Sequence, residues 1–130
     1  MSYRFVIDSY AWIEYFRGTE SGKRAKNYIE SKEAATSGIS IAELKEKYLR
    51  EGWHYFDADL LFMTSVTTIV PVGKEIAVLV GGINFERKKK VKDWGMSDSI
   101  VLATAVMASA KVVTGDPHFC LLYTSPSPRD

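Results

Sequence analysis

Four carboxylates in this chain stand where they can act together. Asp8 and Asp116 each come just after a short β-branched run, and Glu43 and Asp98 each fall in the first turn of a predicted helix. In an open parallel sheet, ligands bind beyond the carboxyl ends of the strands, so all four are expected along one edge. Carboxylates brought together without a counter-charge repel and raise one another's pKa. The natural counter-charge is a hard divalent cation, Mg2+ or Mn2+, which prefers carboxylate and water oxygens and keeps some of its waters. In-line attack by water on phosphorus, with the leaving oxygen stabilised, is the chemistry such a group supports.

Each acid alone also has an ordinary structural role. Asp8 suits the N-cap of a strand-to-helix turn, and Glu43 suits the third helical position of a capping box opened by Ser40. Asp98 suits the positive end of a helix dipole, and Asp116 a Gly-Asp-Pro turn. The conjunction of the four carries the information.

The elements that must position them follow from apolar periodicity. Tyr3–Ile7 reads as a buried strand feeding a helix over Ser9–Phe16, which Gly18 closes. A polar helix follows over Ser21–Ser31, then a weak strand over Ala34–Gly38 and a helix from Ser40 to Gly52. Trp53–Met63 predicts a further helix, Thr67–Val72 a strand, and Gly73 the start of a helix that Gly81-Gly82 ends or loosens. A basic connection, Arg87 to Lys92, leads to an almost wholly apolar helix over Ser97–Ser109 and a last strand over Lys111–Thr114. Strands alternating with helices imply right-handed crossovers and a parallel sheet covered on both faces.

The 130 residues carry 17 Lys+Arg against 16 Asp+Glu and are 46% apolar, the profile of one globular domain. A net charge of +1 excludes a generic polycation, so any nucleic-acid contact must come from a local patch. One cysteine, Cys120, and two histidines, His54 and His118, exclude an internal disulfide and a thiolate or imidazole zinc site. No apolar run spans a bilayer and the N-terminus does not read as a signal peptide, so a cytoplasmic protein with no membrane partner is expected.

From Cys120 the composition changes to Cys-Leu-Leu-Tyr-Thr-Ser-Pro-Ser-Pro-Arg-Asp, and its Ser-Pro steps predict an unstructured end. These residues look like the conceptual translation of a transposon-type sequencing-library adapter. The expected division is therefore a domain over 1–119 and a non-native tail over 120–130, with the domain's last strand missing.

The blocks Val6-Ile7-Asp8-Ser9-Tyr10-Ala11-Trp12, Ser40-Ile41-Ala42-Glu43-Leu44, Gly95-Met96-Ser97-Asp98-Ser99-Ile100 and Val113-Thr114-Gly115-Asp116-Pro117-His118-Phe119 resemble, in order and spacing, the PIN-domain family. The likeness is to its VapC-type ribonuclease toxins. This resemblance implies a three-layer α/β/α fold and a metal-dependent endoribonuclease, with Asp8, Glu43, Asp98 and Asp116 holding one or two Mg2+ or Mn2+ ions. Ser9 and Thr114 match small hydroxyl positions that orient a carboxylate or a metal water, although ordinary turn hydrogen bonds explain them equally well. It further implies a homodimer held inactive by a VapB-type antitoxin. Tyr10 departs from the family pattern, which often has a small polar residue there, and so alters access to the acids.

Arg87, Lys88, Lys89, Lys90 and Lys92 precede the Asp98 helix, where they can neutralise RNA phosphates or remain a solvated loop. Trp53, His54, Tyr55 and Phe56 suit packing better than base stacking, and Trp12, Tyr15 and Phe16 suit the core or a dimer contact. Two other functions compete. One is a catalytically silent RNA- or antitoxin-binding module. The other is a receiver-like phospho-accepting domain, against which the single acid after the first strand and Thr114 after the last both argue.

Overall fold

The computed structural model describes residues 3–114 and the backbone of 122–124. Four parallel strands, β1 (Phe5–Ile7), β2 (Ala34–Ser37), β3 (Thr68–Val70) and β4 (Lys111–Val113), lie in the order β3-β2-β1-β4. A fifth, β5 (Leu122–Thr124), pairs antiparallel with β4. The helices are α1 (Ser9–Arg17), α2 (Glu20–Ile29), α3 (Gly38–Glu51), α4 (Phe56–Val66), α5 (Lys74–Lys88) and α6 (Met96–Ala108). This is the expected α/β/α arrangement of a central parallel sheet between helical layers.

Strand alternation divides the core. Val6, Ala35 and Val112 face one side, with Val101, Leu102, Ala103 and Ala105 of α6 and Ile76 and Val80 of α5. Their neighbours Ile7, Ala34 and Val113 face the other, with Ala11, Trp12, Ala25, Ile29, Leu44, Tyr48 and Met63. Successive side chains of a strand point to opposite faces, so short apolar strands with no polar side suffice for a sheet covered twice. A buried polar chain ties the second layer to the sheet. Trp12 Nε1 donates to Thr36 Oγ1 at 3.1 Å, Thr36 Oγ1 meets Thr67 Oγ1 at 2.8 Å, and the Thr67 hydroxyl donates to the Met63 carbonyl at 2.9 Å.

Backbone chemistry sets the helix ends. Asp8 caps α1 by accepting the Ala11 N–H at 2.7 Å, and Gly18 ends it at φ 69°, a left-handed conformation that costs glycine little. Gly22 lets α2 lie directly on α1, because a Cβ there would stand 2.1 Å from the Glu14 carbonyl oxygen.

Several elements differ from expectation. The helix carrying Glu43 starts at Gly38 and is capped by Ser37, whose hydroxyl accepts the Ile39 N–H at 3.3 Å; Ser40 is inside the helix and forms no capping box. Trp53, His54 and Tyr55 precede α4, and Trp53, Tyr55 and Phe56 pack around Tyr48 with ring centroids 5.1–5.5 Å from it. Helix α5 runs through Gly81-Gly82, since Ile76, Leu79, Val80 and Ile83 form a continuous stripe against the first core cluster. Arg87 and Lys88 are consequently the last turn of α5 rather than part of a loop. Finally, β5 forms where no strand was expected: Leu122–Thr124 precedes the Ser-Pro steps, and an extended segment can satisfy the open edge of β4. No helix among the described residues is long and apolar enough to cross a membrane.

Candidate active site

The chain runs from β1 toward β2 and β3 on one side, while β4 lies on the other. A crevice therefore opens beyond the carboxyl ends of β1 and β4, the position at which open α/β sheets bind ligands. Ile7 pairs with Val113, and the Asp8 N–H donates to the Val113 carbonyl at 3.1 Å. Asp8 and Thr114 thus leave the sheet side by side.

Three of the four expected acids line one cleft of about 260 Å³ with Ser9, Tyr10, Trp94, Ser97, Val101, Leu102, Val112 and Thr114. Asp8 comes from the β1–α1 junction, Glu43 from α3 and Asp98 from the first turn of α6. The fourth, Asp116, lies outside the described residues.

Each acid has its own hydrogen bonds. The Asp8 side chain accepts the Ala11 N–H and a hydrogen bond from the Thr114 side chain. Glu43 Oε1 accepts the Ser9 hydroxyl at 3.1 Å, and Asp98 Oδ2 accepts the Gly95 N–H at 2.9 Å. The two expected hydroxyl positions therefore bind carboxylates, Ser9 across elements to Glu43 and Thr114 to Asp8.

Electrostatics single out Asp8. Its carboxyl is pushed up to about 6, chiefly by burial and further by the negative charges of Asp98 and Glu43, against the lowering effect of its bonds from Ala11 and Thr114. Deprotonated, the group is short of positive charge. The N-termini of α1 and α6, which carry Asp8 and Asp98, supply part of it.

The donor set is chemically suited to a hard divalent cation, because it consists of carboxylate and hydroxyl oxygens. Among the described residues, however, no three His, Cys, Asp or Glu side chains are gathered closely enough to form a ready-made metal cage. Each carboxylate is instead held by its own N–H or O–H donor.

Sequence reasoning did not assign Trp94 to the site. Its indole Nε1 donates to Ser99 Oγ at 2.7 Å, and Ser99 in turn donates to Asn84 Oδ1 at 2.9 Å, which ties the ring to α5 and α6. A tryptophan one residue before the glycine that opens the Asp98 helix was the available signal. The basic segment adjoins this wall: the Arg87 guanidinium lies 5.3 Å from the Trp94 ring centroid. Lys88, Lys90 and Lys92 are exposed, whereas Lys89 pairs with Glu86 at 3.6 Å and lies over Phe85.

The PIN domain family model matches residues 5–123. No match was found among curated proteins. Among solved structures, the chain is similar to one from a toxin-antitoxin complex of Klebsiella pneumoniae, at 22% identity and TM-score 0.69, over 84% of this chain and 83% of that one. It is also similar to a chain of VapBC2 from Rickettsia felis bound to a promoter DNA fragment, at 17% identity and TM-score 0.70, over 88% and 89%. A third is Mycobacterium tuberculosis VapC20, a Sarcin-Ricin loop cleaving toxin, at 13% identity and TM-score 0.68, over 87% and 90%. At these identities the likeness is one of fold.

Proposed function

Because the chain belongs to the PIN domain family, we propose that its domain over 1–119 is a metal-dependent endoribonuclease of the VapC toxin type, hydrolysing RNA phosphodiester bonds. The observation that carries this reading is the arrival of Asp8, Glu43 and Asp98, from three separate elements, in one cleft at the β1–β4 crevice. Structures containing VapBC and other toxin-antitoxin chains of the same fold support a VapB-type antitoxin as partner; the homodimer is the working form that the family resemblance implies.

Asp8, Glu43 and Asp98, with Asp116 as the expected fourth, would hold Mg2+ or Mn2+. When bound, the ion supplies positive charge at the phosphoryl oxygens and a more acidic water. The chain's own residues set the rest. Ser9 fixes Glu43 against α1, the Ala11 N–H and Thr114 fix Asp8, and the Gly95 N–H fixes Asp98, so the carboxylates are oriented before any ligand enters. Arg87, which lies over Trp94, and the exposed Lys88, Lys90 and Lys92 neutralise phosphates of the bound RNA, and Lys89 contributes less because Glu86 pairs with it.

A receiver-like domain is disfavoured by topology. There β1 lies between β2 and β3, whereas here it lies between β2 and β4. The silent binding module remains the alternative outcome of one experiment: end-labelled structured RNA incubated with the protein in Mg2+ or Mn2+, beside excess EDTA and Asp98→Asn. The expected result is cleavage that disappears in both controls. A folded, RNA-binding protein that never cleaves would leave the silent module.

A further inference from the structure

Phosphodiester hydrolysis accounts for the acids of the cleft but not for its remaining walls. Five of the eleven lining residues, Tyr10, Trp94, Val101, Leu102 and Val112, are aromatic or aliphatic. Val101, Leu102 and Val112 belong to the first core cluster and form an apolar floor. Tyr10 does not serve the core: it is 48% exposed, whereas Trp12, two residues on, is fully buried. It sits between Ser9, which holds Glu43, and Ala11, whose N–H holds Asp8.

Trp94 lines the same cleft. Its only N–H is consumed by Ser99, and that hydroxyl is committed to Asn84, so the indole is fixed and offers the cleft no hydrogen-bond donor. The Arg87 guanidinium lies 5.3 Å from the centroid of this ring, so the wall pairs a fixed flat surface, with no free donor of its own, with a cation beside it that can meet a phosphate. Flat surface beside a phosphate is a nucleobase, and every base has a π-face.

We propose that Tyr10 and Trp94 are specificity-determining residues that hold an unpaired nucleobase of the RNA next to the phosphate at Asp8, Glu43 and Asp98. The base stacks on the exposed Tyr10 ring, and Trp94 is a second, rigid aromatic wall of the same cleft. A base stacked in a duplex cannot enter such a slot, so the nucleotide it takes is splayed out of the stack, in keeping with the single-stranded or loop RNA that the family resemblance implies. This inference rests on the RNA-cleaving reading above, but binding without metal tests it separately.

The test uses a fluorescein-labelled loop oligonucleotide and its counterpart carrying one abasic residue at the mapped or centrally placed position. Binding is read by anisotropy in EDTA, for the wild type, Tyr10→Ala and Tyr10→Phe. The alanine variant is expected to bind the intact loop roughly 5- to 50-fold more weakly, and the phenylalanine variant, which keeps the ring, to recover most of that loss. On the abasic oligonucleotide, wild type and Tyr10→Ala should bind equally. Equal weakening on both oligonucleotides, or no weakening on either, overturns the proposal; the latter would leave the aromatic walls to a peptide partner. In Mg2+ the effect should appear in KM more than in kcat. If the wild type binds with this pattern yet never cleaves, the nuclease reading fails while the base-holding slot stands.

Discussion

The Ser9 hydroxyl donates to Glu43 Oε1 across 3.1 Å, joining the first residue of α1 to a carboxylate on α3 that is 34 positions away in sequence. Ser9 is not the helix cap, a role Asp8 takes, so its hydroxyl is available for the site. Ser9→Ala is therefore expected to leave thermal stability within about 1 kcal/mol. Cleavage should fall roughly 10-fold as Glu43 loses its orientation. Ser9→Thr should restore it, and a comparison of kcat with Tm for both variants separates orientation from folding.

Asp8→Asn should alter the pH dependence of stability. A carboxyl raised from 3.8 to about 6 holds its proton in the folded chain while the unfolded chain has lost it. That contribution is fully present below pH 3.8 and is lost as pH rises through about 6. Asparagine caps a helix as well as aspartate and carries no charge. The variant should thus match wild type at low pH and exceed it by about 1–3 kcal/mol at pH 8 in EDTA, measured by urea denaturation. Mn2+ should raise the Tm of wild type only.

Charge neutralisation at Lys88, Lys90 and Lys92 with glutamine should weaken RNA binding and flatten its salt dependence. Each lost single-strand phosphate contact reduces the slope of log K against log salt by about 0.7. Lys89→Gln should have a smaller effect, because Glu86 already pairs with that ammonium. A salt titration of binding in EDTA measures both.

Thr36→Val removes the acceptor for the buried Trp12 N–H and one partner of Thr67. A buried donor left without a partner costs about 1–3 kcal/mol, which should lower Tm with cleavage retained in the folded fraction.

Gly22→Ala places a methyl group into the Glu14 carbonyl, 2.1 Å away. Overpacking against backbone costs about 1–3 kcal/mol or more. Gly81→Ala, where nothing lies within 4 Å of the added carbon, should instead be neutral or stabilising in a paired thermal melt.

Much of the fold was legible because its signals are local. The β-branched runs at Phe5–Ile7 and Thr68–Val70, the Gly18 stop and the apolar length of α6 are properties of neighbours in sequence. The errors arose where packing overruled a local cue. Gly81-Gly82 looks like a helix end, but the stripe from Ile76 to Ile83 gains more on α6 than two glycines lose. Ser40-x-x-Glu43 looks like a capping box, yet Ser37 takes the cap, and the Ser40 hydroxyl is buried without a hydrogen-bond partner among the described residues. Leu122–Thr124 looks like part of a tail but pairs with β4.

The same division holds for the site. The acid types, the place of Asp8 at a strand exit and of Asp98 in a first turn, and the alternation that buries a parallel sheet on both faces were legible from residue identity and spacing along the chain, whereas Glu43, expected in a first turn, lies in the second turn of α3 because that helix starts at Gly38. Tertiary structure alone decided that β1 and β4 are neighbours, that Ser9 reaches Glu43 and Thr114 reaches Asp8, and that Trp94 and Tyr10 line the acid cleft. It also decided the rise of the Asp8 pKa, because burial and the fields of distant carboxylates exist only once the helices have packed around the sheet.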